Sequence, residues 1–270
     1  MTASVALRRG LATDLPVEIA QVAGRRLRHL RRAPGRFVGI TMNPLVSMIV
    51  LGYLFKNSLT VPGGHYQDYL FAGVAVQVGL ASVGPTAIAV ASDLQSGLVE
   101  RFRSLPIARA AVLAGHTLAD FLVSILALGV VTGFGVALGW RPHDGLGRTA
   151  LGFVVVLAFV YAMVWVGAAL GMSVRRLESV DGIATLVAVV VPFVSSAFLA
   201  TSNLPGWLAP VAEWNPVSAV VITARNLWGY PQSPSGFVGE HAGVLCAAWL
   251  VGLLVFASVF SVRRFRTAIA

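Results

Sequence analysis

His116 and Asp120 lie four residues apart inside an apolar run, the spacing that sets two side chains on one face of a helix. An imidazole and a carboxylate so placed could relay a proton, as in a secondary transporter. They could also form a hydrated or helix-packing hydrogen-bonded pair, or transmit motion from the polar segment just before them. Charge within a membrane is costly, so any of these readings needs a partner for the carboxylate. Thr41, Asn43 and Gln77 are further polar residues in apolar surroundings and need partners too, from a neighbouring helix or a transported molecule. Pro192 is followed by Ser195 and Ser196, where a kink would free a carbonyl for a hydroxyl to satisfy. That bend fits a gate or a static kink.

Other chemistry is absent from the pattern. Lys56 is the single lysine and follows Phe55, so no G-x-x-x-x-G-K-[ST] phosphate loop exists and the chain cannot hydrolyse ATP by that route. No histidine precedes a glutamate and no serine stands in G-x-S-x-G, which removes the H-E-x-x-H zinc site and the usual hydrolase elbow. The lone Cys246 excludes an intramolecular disulfide and a multi-cysteine metal site, and it reads as packing. No cofactor or metal is expected on this chain.

The elements that hold these residues follow from composition. Of 270 residues, 57% are hydrophobic and 11% charged, against about 25% charged in soluble domains. The apolar residues come in runs long enough to cross a bilayer as helices, near 37–55, 69–92, 110–138, 149–173, 183–201 and 243–262. The expected fold class is therefore an all-α membrane protein with six transmembrane helices. It divides into a cytoplasmic N-terminus over 1–36, a membrane domain over 37–262 and a cytoplasmic tail over 263–270. Sixteen of the twenty arginines and lysines fall in the N-terminal segment, the loops at 93–109 and 174–182, and the tail. By the positive-inside rule both termini are cytoplasmic, in a multi-pass plasma-membrane protein. The net charge of +9 then reflects arginines beside spans, where they meet anionic lipid rather than nucleic acid.

Ahead of the first span, Asp14 and Pro16 start a helix whose Ile19, Val22, Leu27 and Leu30 recur near helical spacing, with Arg25, Arg26, Arg28, Arg31 and Arg32 on its other faces. An amphipathic interfacial helix follows, as a lipid anchor or a docking surface. Between 202 and 241, Leu204, Trp207, Leu208, Val211 and Trp214, then Val220, Val221, Ile222 and Leu227, read as two short apolar helices broken by Pro205, Pro210 and Pro216. They suit a hydrophobic extracellular hairpin that lies at the interface or re-enters the outer leaflet. The glycine pairs 129/133, 135/139 and 167/171 allow close helix approach, for packing or for a moving dimer seam. Phe37, Phe71, Phe121, Phe153, Phe193 and Phe198 could line an apolar cavity.

In the loop after the second span, Leu98, Phe102 and Leu105 fall at i, i+4, i+7 among charges, and Glu100 and Arg103 are spaced to pair. Pro106 ends that short helix, which could rest on headgroups or insert into a partner's groove. The full pattern D-x-x-x-G-x-x-E-R-x-R-S-L-P-x-x-R over Asp93, Gly97, Glu100, Arg101, Arg103, Ser104, Leu105, Pro106 and Arg109, with Leu118-Ala119-Asp120 after it, resembles the ABC type 2 permeases. It is nearest the daunorubicin-resistance-type exporter branch. Asn215-Pro216 and Ala224-Arg225-Asn226-Leu227 look like that family's N-P and A-x-R-x-L stretch.

The resemblance implies that Glu100, Arg101, Phe102, Arg103, Ser104, Leu105 and Pro106 form a coupling helix docking on a separate ABC ATPase subunit, which holds ATP and Mg. The helix over 15–33 would be the connecting helix beside it, and two permease chains would assemble as a homodimer or pseudo-dimer. The implied activity is export of a hydrophobic drug, secondary metabolite or lipid-like molecule. A proton-coupled transporter using His116 and Asp120, or a membrane scaffold that moves nothing, remain the alternatives.

Overall fold

The computed structural model describes residue 24 and residues 35–54, 66–95, 109–174, 176–199, 204–230 and 237–268. Residues 100–106, expected to form a coupling helix, lie outside them, as does the expected connecting helix over 15–33 apart from Gly24. The described residues are helical: α1 (Gly35–Leu54), α2 (Tyr66–Gln95), α3 (Arg109–Ala137), α4 (Leu146–Ser173), α5 (Leu177–Phe193), α6 (Ala209–Glu213), α7 (Pro216–Leu227), α8 (Phe237–Glu240) and α9 (Ala242–Ala268).

Five of these, α1, α2, α3, α4 and α9, are long and apolar enough to cross a membrane. The run expected to cross as one helix at 183–201 does not stay helical. Its helix, α5, has 17 residues and ends at Phe193, after which residues 194–199 form turns. At 1.5 Å per residue α5 reaches about 25 Å, short of the roughly 30 Å of hydrocarbon. Pro192 has no N–H for the ladder, and the Ser195 hydroxyl donates back to the Pro192 carbonyl at 2.7 Å, a side-chain bond that competes with helix continuation. The helix thus ends one residue after Pro192, where a kink was expected. At the C-terminus α9 runs on to Ala268, so much of the expected 263–270 tail is helix.

The bundle is organised around α2, which packs against α1, α3, α4, α5 and α7. Its apolar window is 83% buried, against 11% for that of α9. Small residues permit that enclosure. A β-carbon at Gly167 would fall 2.7 Å from the Val83 carbonyl oxygen, and one at Gly171 would fall 2.3 Å from that of Ala87. The 167/171 pair is thus where α4 meets the α2 backbone. The other pairs behave differently: Gly129 and Gly133 face open space, Gly135 abuts the Phe71 ring, and Gly139 forms a turn at φ +108°.

Residues 204–230 hold two short helices, as their apolar spacing suggests, but Pro210 and Pro216 begin them rather than break them. Proline suits a helix's first turn because its missing N–H would be unpartnered there. On α6 and beside it, Trp207, Val211 and Trp214 are exposed, whereas α7 is buried along most of its length.

Candidate functional site

Two polar clusters lie at opposite ends of the bundle. The first is at the end where α2 stops and α3 starts, with residues 96–108 between them. Asp93, in the last turn of α2, faces His116 on α3, with Oδ2 3.2 Å from Nδ1. One helical turn further along α3, Asp120 is 1% exposed and lies 2.7 Å from Arg36 at the start of α1. The same Arg36 nitrogen donates to the Pro85 carbonyl on α2 at 2.7 Å.

His116 and Asp120 therefore share a helix, as their spacing requires, yet each has a polar partner on another one. Asp93–His116 joins the two helices that bracket residues 96–108. Arg36–Asp120, with its bond to Pro85, joins α1, α2 and α3. A carboxylate this deeply enclosed is tolerated because the guanidinium pairs with it. Arg36 was legible in the sequence only as a topology-setting charge, since its partner is 84 residues away.

The second cluster fills the break after α5. Turns expose carbonyls that a helix would have used, and in hydrocarbon each needs another donor. Helix α7 and the first turn of α2 supply them. Arg225 is 1% exposed and donates from Nε to the Tyr69 carbonyl at 3.0 Å, from Nη1 to that of Ser196 at 2.9 Å and from Nη2 to that of Ala197 at 2.8 Å. Its guanidinium carbon sits 3.4 Å from the Tyr69 ring centroid, a cation–π contact. The Tyr69 hydroxyl donates to the Ser196 carbonyl and the Tyr66 hydroxyl to that of Phe198.

Asn215 serves both sides of the break. Its Oδ1 accepts from the Val217 N–H at the start of α7, while its Nδ2 donates to the Val194 carbonyl at 2.8 Å. The Asn-Pro step is thus an N-cap followed by a first-turn proline, with one amide left to bind α5. The Ser196 N–H donates to the Ser218 hydroxyl, so Ser196 is held through its backbone, and its own hydroxyl oxygen is buried without a hydrogen-bond partner among the described residues. A β-carbon at Gly73 would come within 2.2 Å of the Ala197 oxygen, so only glycine lets α2 lie this close to the break.

The remaining polar positions do not converge on either cluster. Thr41 donates to the Phe37 carbonyl of its own helix rather than across helices. Asn43 is half-buried on α1, and Gln77 is buried at mid-α2 with Oε1 lacking a hydrogen-bond partner among the described residues. The phenylalanines mostly pack on neighbouring rings: Phe121 on Tyr161, Phe153 on Trp140 and Trp228, Phe193 on Phe198. Phe71 alone of the six lines the cavity between α1, α2 and α3. Cys246 is buried as a free thiol. Beyond α7, Tyr230 donates to the Arg141 carbonyl, and burial, with Asp68 nearby, raises its phenol above the ordinary value.

An apolar helical bundle with paired charges at one end and a helix break braced by a buried arginine at the other has the form of a membrane domain. The profile of the family described as ABC-2 type transporter matches residues 17–228. The chain belongs to that family.

This ABC-2 transporter chain is also similar to individual permeases. It is 28% identical over 247 residues to a daunorubicin resistance ABC transporter permease protein of Streptomyces coeruleorubidus, a match covering 89% of this chain and 85% of the relative. A probable doxorubicin resistance ABC transporter permease protein of Mycobacterium tuberculosis is 25% identical over 225 residues, covering 82% and 78%. A putative transport permease of Pyropia yezoensis is 20% identical over 217 residues, covering 78% and 74%.

Proposed function

We propose that the chain is the membrane-spanning subunit of an ATP-driven exporter in the plasma membrane, with the nucleotide chemistry on a separate subunit. Six crossings place both termini in the cytoplasm, α5 and the turns at 194–199 together making the fifth. Residues 100–106 form the coupling helix that docks on the ATPase, where ATP and Mg are bound. Two permease chains assemble, and the open Gly129/Gly133 face of α3 suits the contact between them. The cargo is a hydrophobic drug or secondary metabolite, the class named for two of the relatives, with lipid-like molecules next.

The observation that carries this reading is the pair of side-chain contacts that flank residues 96–108, Asp93–His116 and Arg36–Asp120. A helix pushed by an ATPase moves a bundle only if its two flanking helices are tied to each other and to the rest. Asp93–His116 ties them to each other, and Arg36–Asp120 ties the downstream one to α1, which directly follows the expected connecting helix. With Asp120 held by a guanidinium at 2.7 Å, a structural role for that carboxylate is favoured over a proton relay.

The test is mild-detergent purification of the tagged chain from its native membrane, with identification of co-purifying proteins and an ATPase assay. A stoichiometric partner carrying a phosphate loop is expected, with activity that depends on export substrate. Glu100→Ala or Arg103→Ala should uncouple hydrolysis from transport while insertion is unaffected. A chain that purifies alone, or variants with unchanged transport and partner binding, would overturn the assignment.

A further inference from the structure

Between α1, α2 and α3, at the end of the bundle away from residues 96–108, lies a cavity of about 450 Å³. Met48, Gly52, Leu70, Phe71, Phe134 and Trp140 form much of its wall. The volume and the apolar, aromatic lining are those of a small-molecule site. We propose that this cavity binds one acyl chain of a glycerophospholipid from the surrounding leaflet, with the chain's ester carbonyl accepting a hydrogen bond from the Trp140 indole.

Three observations select that occupant. The first is where the cavity opens. Ile49, Tyr53 and Leu138 line it and are themselves exposed on the flank of the bundle, the surface that hydrocarbon covers in a membrane.

The second is depth. Gln67, which also lines the cavity, is in the first turn of α2, and Trp140 follows the end of α3, so both sit at the level where helices leave the bilayer. Met48 is six residues before the end of α1, which at 1.5 Å per residue is about 9 Å deeper. A slot polar at the interface and apolar below matches a lipid ester followed by its chain.

The third is a donor without an acceptor. Trp140 is 3% exposed, and its Nε1–H has no hydrogen-bond partner among the described residues, although buried donors are nearly always paired. The ring lies on that of Phe71, with centroids 3.9 Å apart. The N–H is closed off as the side chains stand, so the indole must slide on Phe71 to meet the ester.

The proposal is independent of export and of the ATPase, and it can be tested on the full-length chain with whatever partner accompanies it. The chain is reconstituted in phosphatidylethanolamine–phosphatidylglycerol vesicles containing a phosphatidylcholine with a photoactivatable diazirine near the carbonyl end of one acyl chain. After irradiation, lipid adducts are mapped by peptide mass spectrometry. Adducts are expected to concentrate on residues 48–53 and 134–140, several-fold above the exposed α9 stretch 251–256, which serves as the bulk-lipid control.

Gly52→Leu should lower the cavity adducts at least about fivefold and leave the α9 adducts unchanged. A β-carbon at Gly52 meets only the Leu70 side chain, at 3.4 Å, an ordinary contact, so the rest of the leucine extends into the slot. Trp140→Phe retains an aromatic ring and removes the donor, and should weaken labelling about fivefold, the worth of one ordinary hydrogen bond. Cavity labelling at the α9 level, cavity labelling unchanged in Gly52→Leu, or chain-to-chain adducts at 48–53 in place of lipid would each overturn the proposal.

Discussion

Replacing Arg225 with methionine should destabilise the membrane domain by about 4–6 kcal/mol, beyond the range of most single substitutions. The magnitude follows from what the guanidinium holds. Its three carbonyl bonds, at 2.8–3.0 Å, are charge-assisted and worth roughly 1.5–3 kcal/mol each before compensation. Their loss is unequal. Tyr69 lies within α2, so its carbonyl keeps the helical ladder, and the Ser196 carbonyl keeps the Tyr69 hydroxyl. No second donor among the described residues reaches the Ala197 carbonyl, so it is orphaned at about 1–3 kcal/mol. Loss of the desolvated stacking on Tyr69 adds about 2 kcal/mol. Because these terms share one side chain, the total is below their sum.

Arg225→Lys keeps the charge but cannot satisfy three divergent carbonyls with the same planar fork, so a smaller loss of about 2–4 kcal/mol is expected. The assay is equilibrium unfolding in mixed micelles, titrated with denaturing detergent and followed by tryptophan fluorescence. A methionine variant within about 1 kcal/mol of wild type would refute the view that Arg225 braces the break.

At the other end, a double-mutant cycle on Arg36→Met and Asp120→Asn should give a coupling energy of about 2–3 kcal/mol, because the two charges are 2.7 Å apart and one of them is almost fully enclosed. Additive losses in the same unfolding assay would dissolve the pair. Gly171→Ala should cost about 1–3 kcal/mol by pushing α4 off the Ala87 carbonyl, whereas Gly129→Ala, which faces open space, should leave chain stability unchanged; equal effects would refute the α2–α4 contact.

Tyr230 offers a pH signature. Its folded pKa is raised above the ordinary value near 10, so the stability it contributes is complete below that value and declines as pH rises through the folded pKa. Tyr230→Phe should therefore lessen the loss of stability above about pH 10, and ultraviolet difference titration should find one fewer late-ionising tyrosine in the variant than in the wild type. A flat wild-type profile would contradict the burial.

The sequence by itself determined the elements. Apolar runs of bilayer length set α1, α2, α3, α4 and α9 to within a few residues, because a backbone in hydrocarbon must bond within its own helix. It also determined that His116 and Asp120 share a face and, through the loop motif, the family. Local spacing was enough for each of these.

Partnership was decided by the tertiary structure. Asp120 could be read from sequence as bonded to His116, but Arg36 reaches it from 84 residues away. Arg225 stood in the sequence as one letter of a motif; its work appears only when α5 breaks at Phe193 and leaves carbonyls for it to hold. The break itself was hidden because the run stays apolar through residue 200, and hydropathy does not register a serine hydroxyl or an asparagine amide competing for a backbone carbonyl. Composition sets where chain can enter a membrane, while long-range hydrogen bonding sets where it may stop being a helix there.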